Sequence, residues 1–348
     1  MKEPSKYNTL DLERNSKMEE NRNSWIKKCS MVTLVLQNSS LALFMRFSRS
    51  NPIDGAIYSS STAVVCAEAI KVISSLGLQL KEEGSVSGLI HSLQRDIFNR
   101  PYDMLKMFIP ASLYCLQNNL AYVAITNLDG PTYQLLYQLK ILTTAMFSVL
   151  MLNKALSSRQ WLSLFLLGTG VYLVQQSSTT SVGDDQMKEN SLVGLVAVLS
   201  ACATSGFAGV YFEKVLKTSK VSVWMRNIQL AGFGFVIGYG GVILGPDASA
   251  VKENGFFSGY NWTVWAAVML NSLGGLVVAV VVKYADNVVK GFATSISILM
   301  TCVVSYFFFG FEITAQFVLG AVVVLYSTYL YGKQPAAKPK EIHVSGQT

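Results

Sequence analysis

DGPTYQLLYQLKILTTAMFSVLM, residues 129–151, is an apolar stretch long enough to cross a bilayer, with a lysine near its middle. Asp129 and the proline that follows favour a helix start, because proline suits the first turn and a carboxylate suits the positive end of the helix dipole. A cation inside a membrane span costs about 3 kcal/mol on insertion scales, so it is seldom left facing lipid. We therefore expect Lys140 to face a polar cavity. The alternative is a structural lysine that pairs with a carboxylate or extends to the membrane interface.

Four residues of this stretch share a helical spacing. Tyr133, Tyr137, Lys140 and Thr144 lie at i, i+4, i+7 and i+11, which predicts one face of a helix. Two aromatic rings one and two turns from a cation suggest an anion site with an aromatic platform. Such a site suits a phosphate that carries a flat base or a sugar.

The composition points to the same environment. Of the 348 residues 51% are hydrophobic and only 14% are charged, which excludes an ordinary soluble domain and a disordered chain. We predict an all-α polytopic membrane protein with ten transmembrane helices in two inverted five-helix repeats. The ten apolar stretches lie at about 29–47, 57–80, 104–126, 131–151, 159–177, 191–213, 223–245, 261–282, 288–309 and 312–332.

The predicted repeats follow from a polar break in mid-chain. Residues 29–177 hold five spans and 191–332 hold five more, with a linker at 178–190 predicted to be luminal. Because five is odd, a second copy must cross the membrane in the opposite direction, which predicts a site near the midplane. Lys290 and Thr294 repeat the spacing of Lys140 and Thr144, a faint trace of such a repeat.

Charge predicts the orientation. The tails, the even-numbered loops and the span ends beside them carry 22 of the 28 lysines and arginines, so both termini are expected in the cytoplasm. The tails comprise residues 1–28, predicted to be disordered, and residues 333–348. The excess of basic residues thus reflects topology and gives no indication of a nucleic-acid partner. The sequence has no phosphate-binding loop and no dinucleotide fingerprint, and its five cysteines have no metal-ligand spacing. We expect no cofactor, no metal and no catalytic group.

Two further clusters lie inside predicted spans. Glu68 and Lys71 are three residues apart and can neutralise each other on one helix face, either as a structural pair or in the cavity. Tyr114, Gln117 and Asn118, with Asn119 beside them, face either another helix or a ligand.

Four blocks of the chain resemble the Golgi nucleotide-sugar transporters, in the branch of UDP-galactose, UDP-N-acetylglucosamine and CMP-sialic acid carriers. They read YQLKILTTAMFSVLM, SGFAGVYFEKVLK, VWMRNIQL and VVKYADNVVKGFATSISI. The resemblance covers residues 29 to 332 and implies ten helices in two inverted halves of the drug/metabolite transporter type. The residues that it implies for the substrate site are Glu68, Lys71, Tyr114, Asn118, Asn119, Tyr133, Tyr137, Lys140, Asn227, Lys283, Thr294 and Ser295, to which the repeated spacing adds Lys290. Gly130 and Pro131 depart from relatives that carry two small residues there.

The resemblance also implies an activity. That activity is antiport of a nucleotide sugar into the Golgi lumen against the matching nucleoside monophosphate, with the bilayer and a second copy or glycosyltransferases as partners. ENGFFSGYN and KYADN are more similar to the UDP-sugar members, and VGLVAVLSAC and TYLYGKQP to the UDP-N-acetylglucosamine carrier. The alternatives are a CMP-sialic acid exchanger, a carrier of another small metabolite on the same fold, and a membrane enzyme acting on lipid-linked sugars. The enzyme is disfavoured because Glu68 is the one clearly intramembrane carboxylate, and a carboxylate beside a lysine is a poor catalytic pair.

Overall fold

The computed structural model describes residues 29, 31–51, 57–180, 185–217, 221–284 and 287–333, with side chains at 177–190, 216–217 and 275–292 outside the description. All regular secondary structure in these ranges is helical. The α-helices are α1 (31–50), α2 (Ser60–Glu83), α3 (Val86–Leu93), α4 (Pro101–Leu105), α5 (Phe108–Asn127), α6 (Gly130–Leu136), α7 (Lys140–Leu152), α8 (Ser158–Thr180), α9 (Asp185–Lys217), α10 (Val223–Leu244), α11 (Ala248–Asn254), α12 (Trp262–Tyr284), α13 (Asn287–Phe309) and α14 (Ala315–Gly332).

Five of these helices are both long and apolar enough to cross a membrane. They are Ser60–Glu83, Gly130–Leu152, Ser191–Val215, Val223–Leu244 and Ala315–Gly332, and a shorter apolar helix covers Ala293–Phe309. Each apolar stretch of the sequence overlaps a helix of the structure. The chain is therefore an all-helical polytopic membrane protein in the part that the structure describes.

Local sequence explains where several helices begin. The predicted start at Asp129 is confirmed, since this residue is extended and Pro131 occupies the first turn of α6. Ser222 caps α10 by accepting a hydrogen bond from the Met225 amide at 3.1 Å, and Thr314 caps α14 in the same way. Asn261 precedes α12, and its side-chain oxygen accepts from the Val264 amide at 2.9 Å.

The helix at 130–152 is not continuous. Its α-helical pieces, α6 and α7, are joined by a single 3₁₀ turn at Tyr137–Leu139. A 3₁₀ turn advances about 120° per residue where an α-helix advances about 100°, so three residues rotate the following face by about 60°. The face that α6 presents is therefore not the face that α7 continues.

Close helix packing depends on glycine at three contacts. A Cβ on Gly206 of α9 would overlap the Thr143 hydroxyl of α7, and one on Gly170 of α8 would lie 2.9 Å from the Val324 amide of α14. A Cβ on Gly320 would in turn lie 2.9 Å from the Gly170 carbonyl. Small residues let these helix backbones approach each other, as is common where helices pack in a membrane.

The region between α2 and α5 lies between two predicted spans, where we expect a loop, but it contains regular structure. It contains α3, a π-helical turn at Gln94–Phe98 and α4. Ser85 caps α3 by accepting from the Gly88 amide, and Pro101 starts α4. These signals were present in the sequence, but the short apolar runs did not reach the length of a membrane span.

Candidate functional site

A cavity of about 380 Å³ lies between α2, α5, α9, α10 and α12. Its volume falls within the range of about 300–1,000 Å³ that is typical of small-molecule sites. The side chains around it combine one charge pair with amides, hydroxyls and apolar groups. Its lining residues are Glu68, Lys71, Ser75, Ala111, Tyr114, Asn118, Phe212, Asn227, Leu230, Ala231, Gly234 and Ser272.

The charge pair of the cavity is formed within α2. Lys71 Nζ lies 2.6 Å from Glu68 Oε1, and Asn118 Nδ2 donates to the same oxygen at 3.4 Å. The Glu68 side chain is 5% exposed, whereas that of Lys71 is 29% exposed. The pair is therefore both self-neutralised and part of the cavity wall, and its ammonium group is the more accessible partner.

Gly234 of α10 provides the space for the Glu68 carboxylate. A Cβ at this position would lie 2.9 Å from Glu68 Oε2 and 3.0 Å from its carboxyl carbon. A larger residue would have to displace the carboxylate, because real Cβ contacts are not that short. The bare backbone of α10 thus allows the charge pair to lie between two helices.

The two amides and a tyrosine lie on two other helices. Tyr114 and Asn118 are one turn apart on α5, and both line the cavity. Asn227 lines it from the first turns of α10, beside the apolar Leu230. The cavity therefore offers a cation, hydrogen-bond donors and acceptors, and an aromatic ring within one enclosure.

Tyr133, Tyr137 and Lys140 form a second group beside this cavity. The two tyrosine rings are stacked, with centroids 5.6 Å apart and planes at 20°. Lys140 Nζ lies 4.5 Å from the centroid of the Tyr137 ring, a cation–π contact. The two tyrosines and the lysine are adjacent, as the spacing predicts. The three residues do not, however, line the 380 Å³ cavity.

Gln117 connects the two groups. Its Nε2 donates to the Tyr137 hydroxyl at 2.7 Å, while Asn118, the next residue of α5, contacts Glu68. The same helix thus touches the charge pair on one side and the tyrosine–lysine group on the other. A ligand that reached from one to the other would remain in contact with α5 throughout.

The prediction that Thr144 continues the stripe is wrong. Thr144 is exposed, because the 3₁₀ turn at Tyr137–Leu139 rotates α7 relative to α6. Thr143 points inward instead, and its hydroxyl donates to the Cys202 carbonyl of α9 at 2.7 Å.

The remaining predicted residues lie elsewhere. Asn119 faces the start of α2, where it accepts from the Ser60 and Ser61 hydroxyls at 3.3 and 3.4 Å. Thr294 and Ser295 are half-buried on α13. The side chains of Lys283 and Lys290 lie outside the described residues.

Sequence reasoning missed several lining residues. Ser75 follows Glu68 and Lys71 at i+7 and i+4, so helical spacing could have found it. Phe212, Gly234 and Ser272 carry no such signal, since each lies on a different helix and only the tertiary packing brings it to the cavity.

Comparison with known proteins places this architecture in a family. The family model described as nucleotide-sugar transporter matches residues 22–332. The UDP-N-acetylglucosamine transporter of Homo sapiens is 51% identical over 313 residues, which cover 89% of this chain and 96% of that protein. The UDP-N-acetylglucosamine/UDP-N-acetylgalactosamine transporter nstp-4 of Caenorhabditis elegans is 48% identical, covering 91% of this chain and 96% of its own. The UDP-galactose translocator of Bos taurus is 48% identical, covering 88% of this chain and 77% of its own. A family match over most of the chain, with relatives near half identity, shows that this protein belongs to the nucleotide-sugar transporter family.

Proposed function

We propose that this protein is an antiporter that carries a UDP-sugar, UDP-N-acetylglucosamine or UDP-galactose, into the Golgi lumen in exchange for UMP. The observation that carries the proposal is the 380 Å³ cavity with Lys71 in its wall, in a chain of the nucleotide-sugar transporter family. The names of the relatives support the UDP-sugar class. Both exchanged ligands carry a phosphate and a uridine, so one site can serve both directions.

Lys71 is the group of the described cavity that suits a phosphate. Its ammonium is 29% exposed and already lies beside Glu68, which compensates its charge when no anion is present. An unpaired charge in a nonpolar site costs several kcal/mol, so the carboxylate stabilises the empty carrier. A bound phosphate then competes with Glu68 for the ammonium.

The uracil and the ribose require directional hydrogen bonds, which the amides can supply. Asn118 and Asn227 each offer a carbonyl acceptor and an NH₂ donor from facing helices. Tyr114 and Phe212 add aromatic surface on which a flat base can pack. The cavity thus matches a pyrimidine nucleotide better than a simple sugar or a bare anion.

Lys140 is proposed to meet the phosphate in a later step of transport. It lies over the Tyr137 ring, and the Tyr137 hydroxyl accepts a hydrogen bond from Gln117 beside the cavity. A small rotation of α7 against α5 would carry the ammonium towards the ligand. The site assignment at Lys283 remains part of the proposal on the resemblance, that at Lys290 on the repeated spacing, and that at Tyr133 on both the helical spacing and the resemblance.

The transport mechanism is proposed to rest on ten spans in two inverted repeats. We count α6 and α7 as one helix and leave out the short α3, α4 and α11. Helices that are then five places apart in the chain pack together: α2 against α10, α6 against α13, and α8 against α14. In the first half of the chain α5 and α7 pack against α9, the first helix of the second half. In the same way, α12 and α13 of the second half contact α1, the first helix of the first half. Gln37 of α1 donates to the Leu270 carbonyl of α12, and Ser39 of α1 donates to the Ser297 carbonyl of α13. Such exchanged pairs are expected for two halves that rock around a central site.

The orientation is proposed from charge alone. With both tails in the cytoplasm and the linker 178–190 in the lumen, the basic loops lie on the cytoplasmic side. The ends of α2 and α9 and the starts of α5 and α10 then face the cytoplasm, which places the cavity in the cytoplasmic half of the membrane.

Ligand-dependent thermal stability tests the proposal. The melting temperature of the purified carrier should rise with UMP and with UDP-N-acetylglucosamine, and much less with AMP, since binding to the folded state alone stabilises it. Asn227→Ala should lose most of this rise, while Asn127→Ala, at the end of α5, should keep it. A rise with CMP that exceeds the rise with UMP would support a CMP-sialic acid exchanger instead.

A further inference from the structure

The segment between α2 and α5, residues 86–106, exposes a set of large apolar side chains. Its two buried residues, Ser92 and Asp96, are polar, while Leu89, Leu93, Ile97 and Met104 are half-buried. Phe98 is 75% exposed and Tyr102 is 86% exposed. The other exposed apolar residues of this segment are Val86, Ile90 and Leu105. A segment in water would bury these groups, so their surroundings are expected to be apolar.

Polar contacts to α10 hold the segment in this orientation. The fully buried Arg226 donates to the Asp103 carboxylate and, at 3.2 Å, to the Asp103 carbonyl. Gln229 Nε2 donates to the Asp96 carbonyl at 2.7 Å. Because the Asp96 carbonyl and the Asp103 carboxylate are bound to α10, Phe98 and Tyr102 are held on the outside.

The two acidic side chains of the segment are engaged in ion pairs. The Asp96 side chain is 2% exposed, and Asp103 is shared between Lys106 and Arg226. Burial raises the pKa of Asp103, but the hydrogen bonds from Lys106 and Arg226 outweigh it and leave the pKa below its usual value. Arg95 pairs with Asp96 at 2.7 Å and Lys106 with Asp103 at 3.1 Å, but both cations remain exposed, as does Arg100. The outer face therefore carries cations as well as apolar groups.

We propose that residues 86–106 form an in-plane membrane contact that binds anionic phospholipids. Phe98 and Tyr102 enter the boundary between headgroups and acyl chains, where aromatic residues are favoured. Arg95, Arg100 and Lys106 lie on the lipid phosphates, to which juxtamembrane cations are attracted.

This contact also reaches the substrate cavity. Arg226, which holds Asp103, directly precedes Asn227, which lines the cavity. Gln229 holds the same segment one turn further along α10. Anionic lipid on the segment therefore stabilises the start of the helix that carries Asn227, and it should raise the thermal stability of the whole carrier.

Depth-dependent fluorescence quenching tests the position of the segment. Tyr102→Trp is reconstituted in vesicles of phosphatidylcholine mixed with phosphatidylinositol, with bromine on the acyl chains of the phosphatidylcholine. The fluorescence of the introduced tryptophan is the difference between the variant and the wild-type protein, and bromine should quench it. Glu82→Trp, at an exposed polar position in the last turn of α2, is the control and should be quenched less. Equal quenching of the two variants would overturn the proposal. It would also be overturned if Tyr102→Trp were protected from both bromine and aqueous acrylamide, because protein would then cover this position.

Lipid titration tests the charge requirement. Phosphatidylinositol added to the detergent-purified wild-type protein should raise its melting temperature more than phosphatidylcholine does. Arg100→Gln should lose part of this difference, while Lys252→Gln, which removes an exposed cation of α11, should keep it. Equal shifts with both lipids, or equal losses in the two variants, would contradict an anionic lipid site at residues 86–106.

Discussion

Glu68→Gln separates the folding role of the charge pair from its binding role. In the structure Glu68 Oε1 accepts from Lys71 Nζ at 2.6 Å and from Asn118 Nδ2 at 3.4 Å, and its side chain is 5% exposed. Glutamine keeps the size of the side chain and one acceptor oxygen but removes the charge. The ammonium of Lys71 is then left without its carboxylate.

The cost to stability follows from burial. Breaking a fully buried pair by removing one partner costs about 3–5 kcal/mol. Lys71 is 29% exposed, and the amide oxygen of glutamine still accepts its hydrogen bond, so part of this loss is recovered. We expect the free energy of unfolding to fall by about 2 kcal/mol in the absence of ligand.

The effect on binding has the opposite sign. In the wild-type protein a phosphate must compete with Glu68 for Lys71, and in Glu68→Gln it does not. UMP should therefore raise the melting temperature of the variant by more than it raises that of the wild-type protein. Denaturation of purified protein, followed with and without UMP, measures both quantities.

The matched variants complete the test. Lys71→Gln should lose the UMP response, and Glu68→Gln combined with Lys71→Gln should recover stability without recovering that response, because a neutral pair leaves no buried charge. The reasoning is refuted if Lys71→Gln keeps the full wild-type response to UMP. It is equally refuted if Glu68→Gln gains no more from UMP than the wild type does.

Four further predictions follow from single contacts. Gly206→Ala should lower the free energy of unfolding by about 1–3 kcal/mol, since its Cβ would overlap the Thr143 hydroxyl. Gly232→Ala, with open space around it, should be neutral or slightly stabilising in a melting assay. Asp103→Asn should destabilise the carrier at neutral pH. Because the pKa of Asp103 is lowered on folding, the difference from wild type should shrink as pH falls below about 3.9, and a difference unchanged at lower pH would count against the ion pair. Asn261 begins an Asn-Trp-Thr glycosylation sequon but should carry no glycan, because its side chain caps α12. A glycosidase-sensitive mass shift would contradict this. Lys140→Ala should weaken the binding of UMP and of the UDP-sugar together, by about 2–5 kcal/mol of binding free energy. A well-folded variant whose melting temperature rises with both ligands as in the wild type would remove this lysine from the site.

Much of the helical framework could be predicted from sequence, because it depends on local apolar runs. The stretch predicted at 131–151 lies within the helix at 130–152, and its start at Asp129 follows from the proline after it. The contact between Glu68 and Lys71 was equally local, since residues three apart on a helix are neighbours.

The rest depends on tertiary structure. The 3₁₀ turn at Tyr137–Leu139 has no breaker residue, so the rotation that exposes Thr144 could not be seen in the spacing. Asn119 lies next to Asn118 in sequence but points to Ser60 and Ser61 instead of the cavity, because adjacent residues of a helix face about 100° apart.

Counterflow in proteoliposomes measures the proposed exchange most directly. Purified protein is reconstituted in vesicles that are empty or preloaded with UMP or CMP, and the uptake of labelled UDP-N-acetylglucosamine and UDP-galactose is followed. We predict that UMP inside the vesicles accelerates uptake far above the rate of empty vesicles, and that Lys71→Gln removes this acceleration. Equal uptake by empty and UMP-loaded vesicles would contradict the proposed exchange.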